Sequence, residues 1–241
     1  MEKLVDKLLG NIPKDMAFPV NLPSKGKFYK SFNPAVGVKV RAMTFKDESN
    51  LVQRSNDSNF TPIDYILENC VQGVESDELL SMDILAILFK IREVSYGDDY
   101  KVTTECPHCD TDNVLDFKMS ILPIKAVEDN IKDPREVHLP VTNVKAKVRF
   151  PRRADDKGFI TNANNVWRFV ESVGDCEDKA QIAELLNDPR FPLKDMKTLL
   201  ANISLTDYGV GTEAEYSCCN EACQKISTVT MTIGADFFSV N

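Results

Sequence analysis

Histidine is nearly missing from this chain: 241 residues contain two, His108 and His138. A histidine-centred triad therefore has few candidates and no supporting context. The phosphate-cradling G-x-x-x-x-G-K-[ST] loop, the H-E-x-x-H helix and the G-x-S-x-G elbow are missing as well. Positive charge is in deficit, with 29 Lys and Arg against 37 Asp and Glu, a net charge of −8. A module that binds DNA or RNA carries a basic surface to neutralise phosphates, and the basic clusters here are small. Arg149, Arg152 and Arg153 surround Pro151 and read as a solvated strand end; Lys25, Lys27 and Lys30 punctuate a solvated loop. No stretch approaches the roughly 18 apolar residues of a membrane-spanning helix. The first residues, Met1 to Leu9, carry charges where a signal peptide needs an apolar run, which argues against export by that route.

What the chain does have is cysteine in clusters. Seven cysteines, an odd count, argue against a disulfide framework and for a reducing compartment. Cys106-Pro107-His108-Cys109 and Cys218-Cys219-Asn220-Glu221-Ala222-Cys223 each interrupt a stretch that reads as β-strand. Tyr100–Glu105 and Val114–Met119 flank the first; Glu213–Ser217 and Ile226–Ile233 flank the second. Zn²⁺ prefers four thiolate or imidazole ligands in a tetrahedron, and each knuckle presents two, so two knuckles complete one site. Cys106, Cys109, Cys218 and Cys223 are the expected ligands, with Cys219 as the alternative to Cys218, since both spacings to Cys223 suit a zinc-binding turn. His108, between knuckle cysteines, is expected to point away from the metal. Such a site is structural, because four protein ligands leave no open position for catalysis, so enzymatic activity is not expected. A cysteine-based redox role fits less well, since redox C-x-x-C pairs usually sit at a helix start and these flanks read as strands. Cys70 and Cys176, in helical contexts, read as buried apolar fillers.

At 43% hydrophobic content the chain can bury one sizeable core or two small ones. The expected fold class is α+β, a split zinc-ribbon-like pair of β-hairpins with helical segments. Residues 1–17 read as an N-terminal docking helix with a linker, its stripe of Leu4, Val5, Leu8 and Leu9 seeking a surface. Residues 18–135 form an α+β region with the first knuckle. Here Val36–Met43 alternates as a strand, Thr44 and Asp47 form a capping box, and Pro62 opens a helix with a face of Ile63, Ile66, Leu67 and Cys70. Met82 to Val94 is the central helix, with Gly97 just beyond it. Residues 136–212 hold a strand pair and a helical insertion. Its three expected helices run through Phe159 to Val170, through Ile182 to Leu186, and from Pro192 to Ile203 with Leu193, Met196, Leu199 and Leu200 as core; Trp167 is expected in the core. Residues 213–241 carry the second knuckle, its hairpin, and Phe237 and Phe238, which are expected to fold back.

These features resemble the baseplate hub subunit and assembly proteins of T-even-type, contractile-tailed bacteriophages. The resemblance rests on the turn Leu22-Pro23-Ser24-Lys25-Gly26, the helix running into Tyr96-Gly97-Asp98 ahead of Cys106-Pro107-His108-Cys109, and the C-terminal knuckle with its hairpin ending in Asp236-Phe237-Phe238. It covers most of the chain from residue 18 onward; the doubled Cys218-Cys219 departs from a simple paired knuckle. The resemblance implies a non-enzymatic part or assembly factor of the tail baseplate, made in the host cytoplasm and acting through contacts with other hub or wedge proteins. The acidic balance and the lack of a long apolar run, read separately from the resemblance, lead us to expect no nucleic-acid or membrane partner. The competing expectation from the knuckles alone is a zinc-ribbon nucleic-acid-binding or transcription-associated module.

Overall fold

The computed structural model describes residues 4, 8, 16–31, 33, 35–54, 61–156, 163–204, 208–231, 233 and 235–238. Among these the chain is α+β, with six α-helices and several small antiparallel sheets. The expected opening helix lies outside the described residues except for Leu4 and Leu8, which are helical and exposed. Phe159 also lies outside them.

Strands β1 (Phe18–Pro19), β2 (Lys39–Val40) and β3 (Val71–Gln72) form a small sheet in that order. The alternation over Val36–Met43 yields only two paired residues, because its neighbours β1 and β3 are each two residues long. Helix α1 (Phe45–Arg54) opens on the expected capping box. The Asp47 carboxylate accepts the Thr44 N–H at 2.8 Å, and the Thr44 hydroxyl accepts the Asp47 N–H at 3.4 Å. Helix α2 (Pro62–Cys70) has proline in its first turn and buries Ile66, Leu67 and Cys70. Helix α3 (Ser81–Tyr96) ends where Gly97 takes φ 98°, a conformation that a side chain would strain.

The first apolar core gathers around α3, taking Ile87, Leu88 and Ile91 from it, Ile66 and Leu67 from α2, and Val40, Phe150, Phe237 and Phe238 from further away. The two C-terminal aromatics do fold back: Phe237 meets Phe89 at 5.4 Å and Tyr100 at 5.5 Å between ring centroids. A polar node is buried beside this core. Asp83, in the first turn of α3, accepts the Ser24 N–H at 2.8 Å together with the hydroxyls of Ser24 and Tyr29. All three residues are buried, so the turn at Leu22–Gly26 is tied directly to the central helix.

Strands β4 (Asp99–Glu105) and β5 (Asp112–Lys118) form the first hairpin, and β6 (Ile124–Lys125) follows. A second core lies under the sheet β7 (Arg135–His138), β8 (Lys145–Val148) and β9 (Val170–Val173), with Ile182 and Leu186 of α5 (Lys179–Asn187) and Leu199 and Ile203 of α6 (Leu193–Ser204). The short helix α4 (Arg153–Asp156) lies between β8 and β9. Trp167 packs against this core, half-buried.

Here three expectations need correction. The helix expected through Val166, Phe169 and Val170 is a 3₁₀ segment, Ala163–Phe169, followed by β9, because Val170 and Val173 pair with the free edge of β8. Leu193 and Leu200 are exposed; the buried stripe of α6 is narrower and centres on Leu199 and Ile203. Cys176 is half-buried in a turn, its carbonyl accepting the Val173 N–H at 3.0 Å, while Cys70 is the buried filler expected.

The arginines around Pro151 are not a solvated strand end either. Arg149 forks onto Asp155 at 2.7 and 2.8 Å, Arg152 reaches Asp133 at 2.7 Å, and Arg153, 2% exposed, reaches Asp64 at 2.5 Å. Arg152 and Arg153 are paired with carboxylates far away in sequence, whereas the Arg149 partner Asp155 lies six residues on, across a turn.

Strands β10 (Gly209–Val210), β11 (Glu213–Ser217) and β12 (Ile226–Thr230) complete the chain, β11 and β12 forming the second hairpin. β10 pairs with β6, Gly209 opposite Lys125 and Val210 opposite Ile124. That pairing joins the residues just after the first hairpin to those just before the second, so the segment between them leaves and returns at one place. Gly211 allows the approach, since a Cβ there would stand 2.8 Å from the Pro123 ring.

Candidate metal centre

The two hairpins turn through knuckles of the same plan. In the first, the Cys106 N–H donates to the Thr111 carbonyl at 2.9 Å, and Asp110, just after Cys109, takes φ 55°. In the second, the Cys218 N–H donates to the Lys225 carbonyl at 3.0 Å, and Gln224, just after Cys223, takes φ 46°. Each left-handed residue reverses the chain immediately after the second cysteine, which leaves both sulfurs of the knuckle on its inner side. The base of the first hairpin is held by Asp98, whose carboxylate accepts the Ser120 N–H and hydroxyl at 2.7 Å each.

The sulfurs of Cys106, Cys109, Cys218 and Cys223 all lie within 4.8 Å of one another. Cys106 Sγ is 3.9 Å from Cys223 Sγ, and Cys109 Sγ is 3.6 Å from Cys218 Sγ. None of these distances is a disulfide, and all seven cysteines are free. A tetrahedron with metal–sulfur bonds of about 2.3 Å has edges of about 3.8 Å, so the quartet fits one tetrahedral ion. Cys219 does not join it. Its thiol is exposed and lies 3.5 Å from the Asp112 carbonyl, on the outer side of the knuckle. His108 is exposed and outside the cluster.

The quartet is electrically uneven. The Thr111 hydroxyl, 3.3 Å away, and the Thr111 backbone hold the Cys109 thiol down to about 6. At Cys218 the Asn220 backbone N–H acts downward, but burial and the neighbouring sulfurs outweigh it and push the thiol up to about 12. A divalent ion bound by these sulfurs would displace their remaining protons.

Three polar residues around the sulfurs carry no motif in the sequence. The Asn220 amide donates to Thr111 Oγ1 at 3.2 Å and points at Cys109 Sγ at 3.8 Å. Thr111 lies against Cys109, and Asn113, 1% exposed, sits between the knuckles. A signal for Asn113 does exist: Asn113, Leu115 and Phe117 share the inward face of β5, while residues 112, 114, 116 and 118 are exposed. A polar side chain at an inward position calls for a buried partner.

No described helix is long and apolar enough to cross a membrane. Comparison with curated proteins and with solved structures returns no match. The family model described as T4 bacteriophage base plate protein matches residues 16–239, which spans the turn at Leu22–Gly26, both knuckles and the folded-back aromatics. The chain belongs to the T4 bacteriophage base plate protein family.

Proposed function

We propose that this protein is a non-enzymatic component or assembly factor of the baseplate hub, acting through contacts with other hub or wedge proteins. We propose too that its four-cysteine cluster holds one structural zinc ion. The observation that carries the zinc reading is the quartet of sulfurs with near-tetrahedral edges from two separate hairpins. Zinc suits it because an all-thiolate tetrahedron is the ligand set that ion takes in closed structural sites. Four protein ligands would fill its coordination, which supports a non-enzymatic role. Family membership supports baseplate partners, and the resemblance of Leu22–Gly26 and Tyr96–Asp98 to hub proteins favours the hub. Made in the host cytoplasm, the protein would act there during assembly and, if retained, end in the virion tail.

Co-expression with the other baseplate proteins tests this reading. A stable complex containing this chain, with one zinc per chain by elemental analysis, is the expected outcome. A monomer that binds no tail protein would overturn the hub assignment, and a fully reduced chain without metal would overturn the zinc. Probing finished tails with an antibody to the chain separates a retained subunit from a released assembly factor.

A further inference from the structure

We infer that Asn113 is the positioning residue that admits Cys218 to the metal cluster and keeps Cys219 out. The inference rests on the metal reading proposed above and goes beyond it, because spacing alone leaves two adjacent cysteines equally able to pair with Cys223.

The Asn113 side chain makes three contacts, and together they bridge both knuckles. Its Nδ2 donates to the Thr111 carbonyl at 2.8 Å and points at Cys218 Sγ at 4.0 Å; its Oδ1 accepts the Cys219 backbone N–H at 2.8 Å. The orientation of the amide follows from chemistry, since a carbonyl partner demands the NH₂ end and an N–H partner demands the oxygen. Holding the Cys219 N–H toward β5 sets the direction of the chain at the Cys218–Cys219 step. Cys218 then turns into the cluster, 4% exposed, and Cys219 turns out toward solvent. The donor end faces the sulfur that enters, where a thiolate is stabilised by N–H dipoles. Asn113 comes from the first hairpin and the cysteines it sorts from the second, so the choice exists only once the hairpins have met. Groups of this kind, behind the ligands, typically change metal affinity by about 10- to 100-fold.

Two variants separate the roles of the two ends. Asn113→Leu removes both with little change in volume, and Asn113→Asp keeps an acceptor for the Cys219 N–H while turning its other oxygen on the Thr111 carbonyl and the Cys218 sulfur. The probes are Zn²⁺ and Co²⁺ added to the full reduced chain, with affinity read by chelator competition and thiolate number by the Co²⁺ charge-transfer bands. In the native background Cys218→Ser should weaken Co²⁺ far more than Cys219→Ser. In Asn113→Leu the affinity should fall about 10- to 100-fold, and the gap between the two serine variants should narrow. In Asn113→Asp the affinity should fall while the gap persists. Exchange of the Cys219 amide, followed by NMR, should quicken in Asn113→Leu and not in Asn113→Asp. If the native chain takes up one ion but the Asn113 variants bind it as tightly, with the gap intact, the assignment of Asn113 falls and the metal reading stands. A native chain that takes up neither ion overturns the metal reading and this inference with it.

Discussion

Around α3, buried aliphatic and aromatic side chains from residues 22–91 converge with Met119, Phe150, Phe237 and Phe238, whereas the β4–β5 and β11–β12 hairpins supply no buried member to either apolar core. Inside the hairpins the buried apolar side chains are few, Tyr216 and Val229 among them, and Val114 and Ile226 face solvent. Two-stranded hairpins are marginal on their own. The body can rest on apolar burial at about 25 cal/mol per Å². The hairpins have too little area for that; they meet through the sulfur quartet, where we propose the zinc ion, and reach the body through the aromatic contact of Tyr100 with Phe237. The difference teaches where the proposed metal cross-link would matter: where burial is thin and long chain segments must be brought together.

The largest expected effect breaks the comparison from the hairpin side. Removing the proposed zinc ion with a chelator, or replacing Cys106 with serine, should raise amide exchange in β4, β5, β11 and β12 by on the order of 100-fold or more. Binding free energy at such sites, about 10 kcal/mol or more, is folding free energy. The amides of α3 should stay protected, as hydrogen exchange with mass spectrometry would show. Equal loss of protection in α3 would mean that hairpins and body form one cooperative unit.

From the body side, Leu88→Ala removes a side chain that is 1% exposed in the first core. It should cost about 2–5 kcal/mol in urea unfolding, while the folded protein keeps its full metal content. A variant that loses metal in proportion to stability would deny the division.

The smallest effect concerns pH. Burial would raise the Asp47 carboxyl, but the Arg41 fork at 2.8 and 3.1 Å and the Thr44 hydroxyl and N–H outweigh it and hold Asp47 well below the usual carboxylate range. Its contribution, about 2 kcal/mol for hydrogen bonds to a charged group, is present above the unfolded value of about 4. It is lost as pH falls through the depressed folded value. Asp83 acts with the opposite sign. Burial raises it despite the Ser24 and Tyr29 bonds, so its contribution is full below the ordinary value and lost as pH rises through the raised one. Urea midpoints measured from pH 7 downward should therefore fall less steeply for Asp47→Asn than for the native chain. An unchanged slope would show that this cap does not contribute to acid sensitivity.

The elements that sequence reading places well are those whose determinants are local. The Thr44–Asp47 box, Pro62 at the first turn of α2 and Gly97 beyond α3 need only their own neighbours. The pairing of strands around each cysteine cluster is legible for the same reason. Val166, Phe169 and Val170 have helical spacing, yet Val170–Val173 becomes a strand because the edge of β8 recruits it, and nothing local announces that edge. The arginines around Pro151 look solvated because their partners Asp133, Asp64 and Asp155 reach them through the tertiary fold or across a turn. Asn113 is visible only as a polar residue in an inward register, without a hint of what it meets.

By itself the sequence determined that this chain would carry two cysteine knuckles on β-hairpins and a central apolar helix ending at Gly97, without the phosphate-cradling loop, H-E-x-x-H or G-x-S-x-G patterns. Spacing, periodicity and capping are properties of neighbouring residues and survive without a fold. The tertiary structure brings together Cys106, Cys109, Cys218 and Cys223, the four that spacing marks as expected ligands, and between the adjacent Cys218 and Cys219 it decides that Cys219 is left outside. That outcome depends on the β6–β10 pairing, which brings the two hairpins together, and on the Asn113 amide that crosses between them. Both contacts join residues far apart in the chain, so the local pattern around either cluster does not contain them.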